Sequence, residues 1–233
     1  MSELIGIVGP SGCGKSTSIF RNEAIGIKGL DPAETVLINV AGKPLPFKGW
    51  KKMFTDFKGD TGNHLITDKA DKIVRALIYI NENRPDVKNI VIDDSQYIMG
   101  FKFVEKATEK GYDKFNVLAK EYLAILNAGR SLREDLKVFI LTHSEEIYKD
   151  FEVIRKMKTL GKMLDQAITL EGLFTVLLYT HSTWDEKEEK AHYYFVTNKT
   201  SEYPSKSPIG MFDDIYIPND LGYVADKIDE FNN

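Results

Sequence analysis

The feature that most constrains this chain is the segment Gly9-Pro10-Ser11-Gly12-Cys13-Gly14-Lys15-Ser16-Thr17, which directly follows the apolar run Leu4-Ile5-Gly6-Ile7-Val8. It satisfies the G-x-x-x-x-G-K-[ST] spacing, and its context of strand followed by loop is the required one. Glycines at 9, 12 and 14 let the backbone wrap closely around an anion, so that successive N–H groups and the start of a following helix face it. Lys15 then places a point charge at the β and γ phosphates of a nucleotide. The Ser16 hydroxyl is a ligand for Mg²⁺, and Thr17 is placed to meet the α-phosphate. A loop of this kind belongs at the carboxyl end of a buried strand, so the rest of the chain is expected to supply a sheet around it.

It does so by alternating short apolar runs with longer helical patterns, the signature of βαβ units feeding a mostly parallel sheet. Strands are expected at Leu4–Val8, Thr35–Val40, Asn89–Asp93, Lys137–Thr142, Phe174–Thr180 and His192–Thr197, several apolar on both faces as buried central strands should be. Ile73, Leu77 and Ile80 recur at helical spacing after a cap at Asp68, and Phe115, Leu118, Tyr122 and Ile125 repeat the pattern. The last strand pair reads as a hairpin around the charged turn Asp185 to Lys190, and Val224, Ile228 and Phe231 mark a C-terminal helix. At 233 residues and 42% hydrophobic content, residues 1–233 read as one domain. The formal net charge of −4 excludes coating of nucleic acid by overall charge, so any such binding must be local. A single cysteine, Cys13, and no run of membrane-spanning length point to a cytoplasmic protein without membrane partners.

Phosphoryl transfer also needs a carboxylate near the metal, and Ile90-Val91-Ile92-Asp93-Asp94 ends an apolar strand in acid, a Walker B pattern. Asp93 is the candidate metal residue, acting mainly through the ion's water shell, and Asp94 is the candidate for orienting or deprotonating the attacking water. The run Lys137 to Leu141 ends in Thr142-His143-Ser144-Glu145, which makes His143 a candidate γ-phosphate sensor at another carboxyl strand end. A further stretch, Phe47-Lys48-Gly49-Trp50-Lys51-Lys52-Met53-Phe54, interleaves aromatics with lysines in the manner of base-stacking platforms or of interface anchors, with the second reading preferred.

The loop alone is also similar to those of ABC transporter ATPases and guanylate kinases. No segment resembling LSGGQ precedes the Walker B strand, and the region after His143 is Lys-rich, with Arg155 in place of an Arg-rich kinase lid. The combined pattern resembles the RecA-core ATPases, most closely the small phage ATP-binding proteins of that core associated with single-strand annealing and recombination. The likeness covers most of the chain and rests on the Walker A loop, Asp93-Asp94-Ser95, Thr142 to Glu145, the basic stretch Arg155 to Lys162 leading to Leu170 to Phe174, and Asn198-Lys199-Thr200.

This resemblance implies a three-layer P-loop NTPase fold with a C-terminal β-hairpin and helix, ATP and Mg²⁺ as ligands, and assembly into rings or filaments. It also implies that Arg155, Lys156, Lys158 and Lys162 meet single-stranded DNA, and that Lys199, or failing it Lys206, reaches a neighbour's γ-phosphate as part of the catalytic set. The chain departs from the pattern at one point. RecA-like enzymes place a catalytic glutamate just after the second strand, where this chain has Asn39-Val40-Ala41-Gly42-Lys43-Pro44; either Asp94 replaces it or hydrolysis is slow. The competing expectations are a nucleotide or small-molecule kinase and a nucleotide-dependent scaffold with negligible turnover.

Overall fold

The computed structural model describes residues 1–109, 111, 113–149, 152–160 and 168–233, so Lys162 lies outside the described residues. Its strands are β1 (Glu3–Gly9), β2 (Thr35–Asn39), β3 (His64–Ile66), β4 (Asn89–Asp93), β5 (Lys137–Lys149), β6 (Glu152–Met157), β7 (Val176–Asp185), β8 (Lys190–Val196) and β9 (Tyr216–Pro218). The helices are α1 (Trp50–Met53), α2 (Ala70–Asn83), α3 (Gln96–Glu105), α4 (Asp113–Arg130) and, at the C-terminus, α5 (Leu221–Asn232). The sheet runs in the order β3-β2-β4-β5-β1-β7-β8-β9, with β6 paired to β5 off this path. From β3 through β7 every pairing on the path is parallel, and β8 and β9 add on antiparallel.

The two-fold alternation of strand side chains explains why the central strands are apolar throughout. Leu4 and Val8 of β1 enter one core with Ile90, Ile92, Val138 and Ile140, and α2 to α4 cover that face through Ile73, Leu77, Met99, Leu118 and Tyr122. Ile5 and Ile7 enter the other with Val91, Phe139 and Leu141, covered by Phe20, Phe47, Phe54 and the Leu221, Val224 and Ile228 stripe of α5. Helices and loops on both faces of a mostly parallel sheet make an arrangement compatible with a three-layer α/β fold. Each fully buried isoleucine contributes about 1.5–3 kcal/mol, so β1 is anchored from both sides before any ligand binds. Among the described residues no helix is long and apolar enough to cross a membrane.

Several expectations need correction. The helix expected after the phosphate loop is absent; a 3₁₀ turn at Thr17–Ile19 replaces it. The Ser18 hydroxyl donates back to the Lys15 carbonyl (2.6 Å), and the chain reverses so that Leu30 N–H reaches the Ile19 carbonyl (2.8 Å). Gly29 makes the reversal possible, because a Cβ there would lie 2.2 Å from the Phe20 carbonyl carbon. Asp68 is not the cap of α2: Lys69 stands at that position without a side-chain cap bond. Phe231 is exposed, so the α5 stripe ends at Ile228. Phe47 and Phe54 do not form an exposed platform, since they close against Phe20 in the core (centroids 5.0 and 4.5 Å), and Trp50 packs partly buried against the same cluster.

The largest difference lies after His143. The expected strand ends at Thr142, whereas β5 continues through Ser144 to Lys149 past its last pairing with β1 and forms a hairpin with β6. Glu145 faces Lys156 and Glu146 faces Arg155 across that pair, with ion pairs of 2.9 and 3.1 Å, and opposite charges placed directly across an antiparallel ladder stabilise it. Arg155 and Lys156 of the basic stretch are thus cross-strand partners of the acids before them.

Candidate functional site

The ends of β1 and β4, with His143 of β5 and Thr180 of β7, come together at the loop Gly9 to Thr17. Gly9 ends β1, and a Cβ there would sit 1.8 Å from Thr180 Oγ1 on β7, so only glycine lets the two strands close at this point. Gly12 and Gly14 adopt φ of 77° and 87°, the left-handed region that turns the loop around its own centre. Lys15 is buried in that centre. Its Nζ donates to the carbonyls of Gly9 (2.8 Å) and Pro10 (2.7 Å) and lies 3.6 Å from Cys13 Sγ. Burial pulls the Lys15 pKa down, against the opposing pull of Cys13, Asp94 and Asp93. An ammonium held on carbonyl dipoles in this way gains from an incoming phosphate, which offers it full counter-charge.

Ser16 links the loop to the Walker B strand. Its Oγ donates to Asp93 Oδ2 (2.8 Å) and lies 3.1 Å from Oδ1. Asp93 is 1% exposed, and burial together with the charge of Asp94 pushes its pKa up to about 6, despite the Ser16 bond and the nearby Lys43 and Lys15. A hydroxyl and a buried carboxylate in contact form a hard-oxygen pair suited to Mg²⁺, and a divalent ion would remove the strain the raised pKa reports. The residues therefore fit the metal, and Ser16 and Asp93 would hold it.

Asp94 is 2% exposed and has φ of 60°, an uncommon conformation for a residue with a side chain. Its carboxylate has a separate partner: Lys43 Nζ lies 2.5 Å from Asp94 Oδ2. Lys43 is delivered by the loop after β2, which Asn39 holds in place by donating to the Lys43 carbonyl (2.8 Å) and accepting from Gly42 N–H (2.9 Å). His143 Nε2 is 3.8 Å from Asp94 Oδ1, too far for a hydrogen bond. Burial, reinforced by the Lys15 charge, lowers the His143 pKa, which leaves the ring neutral near pH 7.

Two cavities flank the loop. One of about 530 Å³ opens beside Gly12, Gly14 and Thr17 and is walled by Ile25, Tyr193 and Asn219. The other, about 340 Å³, lies beyond Gly9 and Pro10 and is lined by Ser144, Arg155, His181 and Tyr203. Thr180 Oγ1, Gln96 Nε2 and Asn219 Oδ1 are buried near the loop without hydrogen-bond partners among the described residues.

The structure thus brings Lys15, Ser16, Asp93, Asp94 and His143 together and leaves other expected residues apart. Lys199 is exposed in the loop after β8. Lys206 is half-buried beside β7, where burial lowers its pKa. Arg155 pairs with Glu146 and Glu202 and stacks over Tyr203 at 4.7 Å, while Lys158 is exposed. Sequence reasoning missed Lys43 and Asn219. Lys43 had a signal, because it lies in the loop after the second strand, where an acid was sought and a base stands. Neither a scan against protein-family models nor a search of curated proteins gives a match to this chain.

Proposed function

We propose that this chain binds a Mg²⁺-nucleoside triphosphate, ATP in the first instance, at Gly9 to Thr17 and hydrolyses its γ-phosphate, as a RecA-like ATPase acting with single-stranded DNA. The observation that carries the reading is the contact of Ser16 with Asp93 directly beside the buried Lys15 ammonium. A glycine-rich turn with an accidental lysine needs neither the carboxylate at the adjacent strand end nor a hydroxyl aimed at it. Bound Mg²⁺ would supply charge neutralisation and orientation of the phosphates. Lys15 holds the β and γ phosphates, Thr17 meets the α-phosphate, and the 530 Å³ cavity next to Thr17 has room for the nucleoside. Asp94 is the base nearest the γ-phosphate end, and neutral His143 stands beside it to read that phosphate.

The β5–β6 hairpin is the proposed DNA contact. It extends beyond the sheet and exposes Tyr148 (75%), an aromatic surface on which a base can stack. Assembly into a ring or filament, with Lys199 meeting a neighbour, belongs to the same proposal. The kinase reading has one observation in its favour, the polar 340 Å³ cavity on the far side of Gly9, where a phosphate acceptor could lie. Calorimetry with MgATP, alongside turnover assays with and without single-stranded DNA, tests the proposal. Lys15→Ala should abolish measurable binding, and wild-type affinity in that variant would sink the proposal. Phosphate released to water supports the ATPase, whereas phosphate found on an added acceptor supports the kinase.

A further inference from the structure

Resting on that triphosphate site, we propose that Lys43 is a γ-phosphate cation supplied within the same chain: it leaves Asp94 for the γ-phosphate of a bound triphosphate and returns to Asp94 when a diphosphate remains. Three observations support this. First, two buried carboxylates, Asp93 and Asp94, stand at the end of β4, where the γ-phosphate of a triphosphate held on Lys15 would bring further negative charge, and Lys43 is a cation in contact with one of them. Second, the Lys43 backbone is fixed by Asn39 while its side chain is 51% exposed, so the ammonium can exchange partners without disturbing the loop that presents it. Third, Lys43 is the lysine paired with Asp94 among the described residues, at 2.5 Å, and Asp94 directly follows the Asp93 that Ser16 contacts, so the ammonium already stands beside the joint where metal and phosphates would lie.

The exchange follows the nucleotide state. With a triphosphate bound, Lys43 pairs with the γ-phosphate and Asp94 faces the water. The water oxygen bonds to the γ-phosphorus as the bond to the β–γ bridging oxygen breaks. The diphosphate leaves with that electron pair, and the water's proton passes to Asp94. With a diphosphate bound, Lys43 returns to Asp94. The Lys43 contact thus separates triphosphate from diphosphate without a residue from another subunit.

The test is calorimetric affinity for MgATPγS and MgADP, with ATP turnover, in wild type, Lys43→Gln and Lys43→Arg. Lys43→Gln should lose about ten-fold in MgATPγS affinity and most of its turnover while MgADP affinity stays at the wild-type value, which also reports that the variant is folded. Lys43→Arg should keep most of the preference for triphosphate. An unchanged ratio of MgATPγS to MgADP affinity in Lys43→Gln overturns the role of Lys43 and leaves the triphosphate site standing. A wild-type protein that binds neither nucleotide overturns the site, and Lys43's role with it.

Discussion

A carboxylate that is fully buried and titrates at about 6 rather than 3.8 ties Asp93 to the stability of the whole chain. Between those two values the folded state holds a proton that the unfolded state has released, so stability falls as pH rises through the window. Above it the full cost of the buried charge is present, about 3 kcal/mol before relaxation. Asp93→Asn keeps the shape and the Ser16 contact but removes the charge. In nucleotide-free and metal-free protein it should therefore be more stable than wild type by about 2 kcal/mol at pH 7.5 and nearly equal to it at pH 4, as read from denaturant midpoints. The same difference at both pH values would show that burial does not govern this carboxylate. Asp94→Asn is expected to behave differently again: it should leave Mg²⁺-dependent binding largely intact and lower turnover, because Asp94 faces Lys43 and not Ser16.

At the scale of elements, the reversal after the phosphate loop is tied to the C-terminal helix by Asp220, alongside an exposed Lys28–Asp226 ion pair. Asp220 accepts from Lys28 N–H (2.6 Å) and Gly29 N–H (2.9 Å) and also caps α5 through Gly222 N–H (2.8 Å). Gly222 lies so close to Gly29 that a Cβ on it would be 2.1 Å from the Gly29 carbonyl oxygen, so the two segments meet backbone to backbone. Asp220→Ala should cost about 2–4 kcal/mol, the sum of a lost cap and orphaned donors, and a loss below about 0.5 kcal/mol would show that the tie is not needed. None of this was legible in the sequence, because residues 191 or 192 positions apart carry no periodicity that links them. The central strands and the stripes of α2 and α4 were legible, since burial on fixed faces imposes periods of 2 and 3.6. The β5–β6 hairpin could have been read from the mirrored order of Glu145-Glu146 and Arg155-Lys156, but runs of charge read first as solvated surface. In the site, Lys15, Ser16 and Asp93 were legible because their chemistry fixes both residue type and spacing. Lys43 was legible only as a base in the loop after β2; its place against Asp94 was not, because only the fold sets it there.

For the molecule as a whole, a net charge of −4 and a basic stretch consumed partly by its own acids limit how strongly phosphates can be tracked. Replacing Arg155, Lys156 and Lys158 together by glutamine should lower the salt dependence of single-stranded DNA binding by about 0.7 in logarithmic slope, near the value for one released counterion and not three. A change of about 2 would mean that the ion pairs to Glu145 and Glu146 open when DNA binds. The central claim concerns the joint between loop and strand end, and the Mg²⁺ dependence of triphosphate binding reaches it most directly. Calorimetry of ATPγS at pH 7.5, with Mg²⁺ and then with a chelator, should show wild type losing about ten-fold or more in affinity when the metal is removed. Asp93→Asn should bind weakly and equally in both conditions. Wild-type affinity that does not change on removing Mg²⁺, or no binding in either condition, would contradict a Mg²⁺-triphosphate site built on Lys15, Ser16 and Asp93.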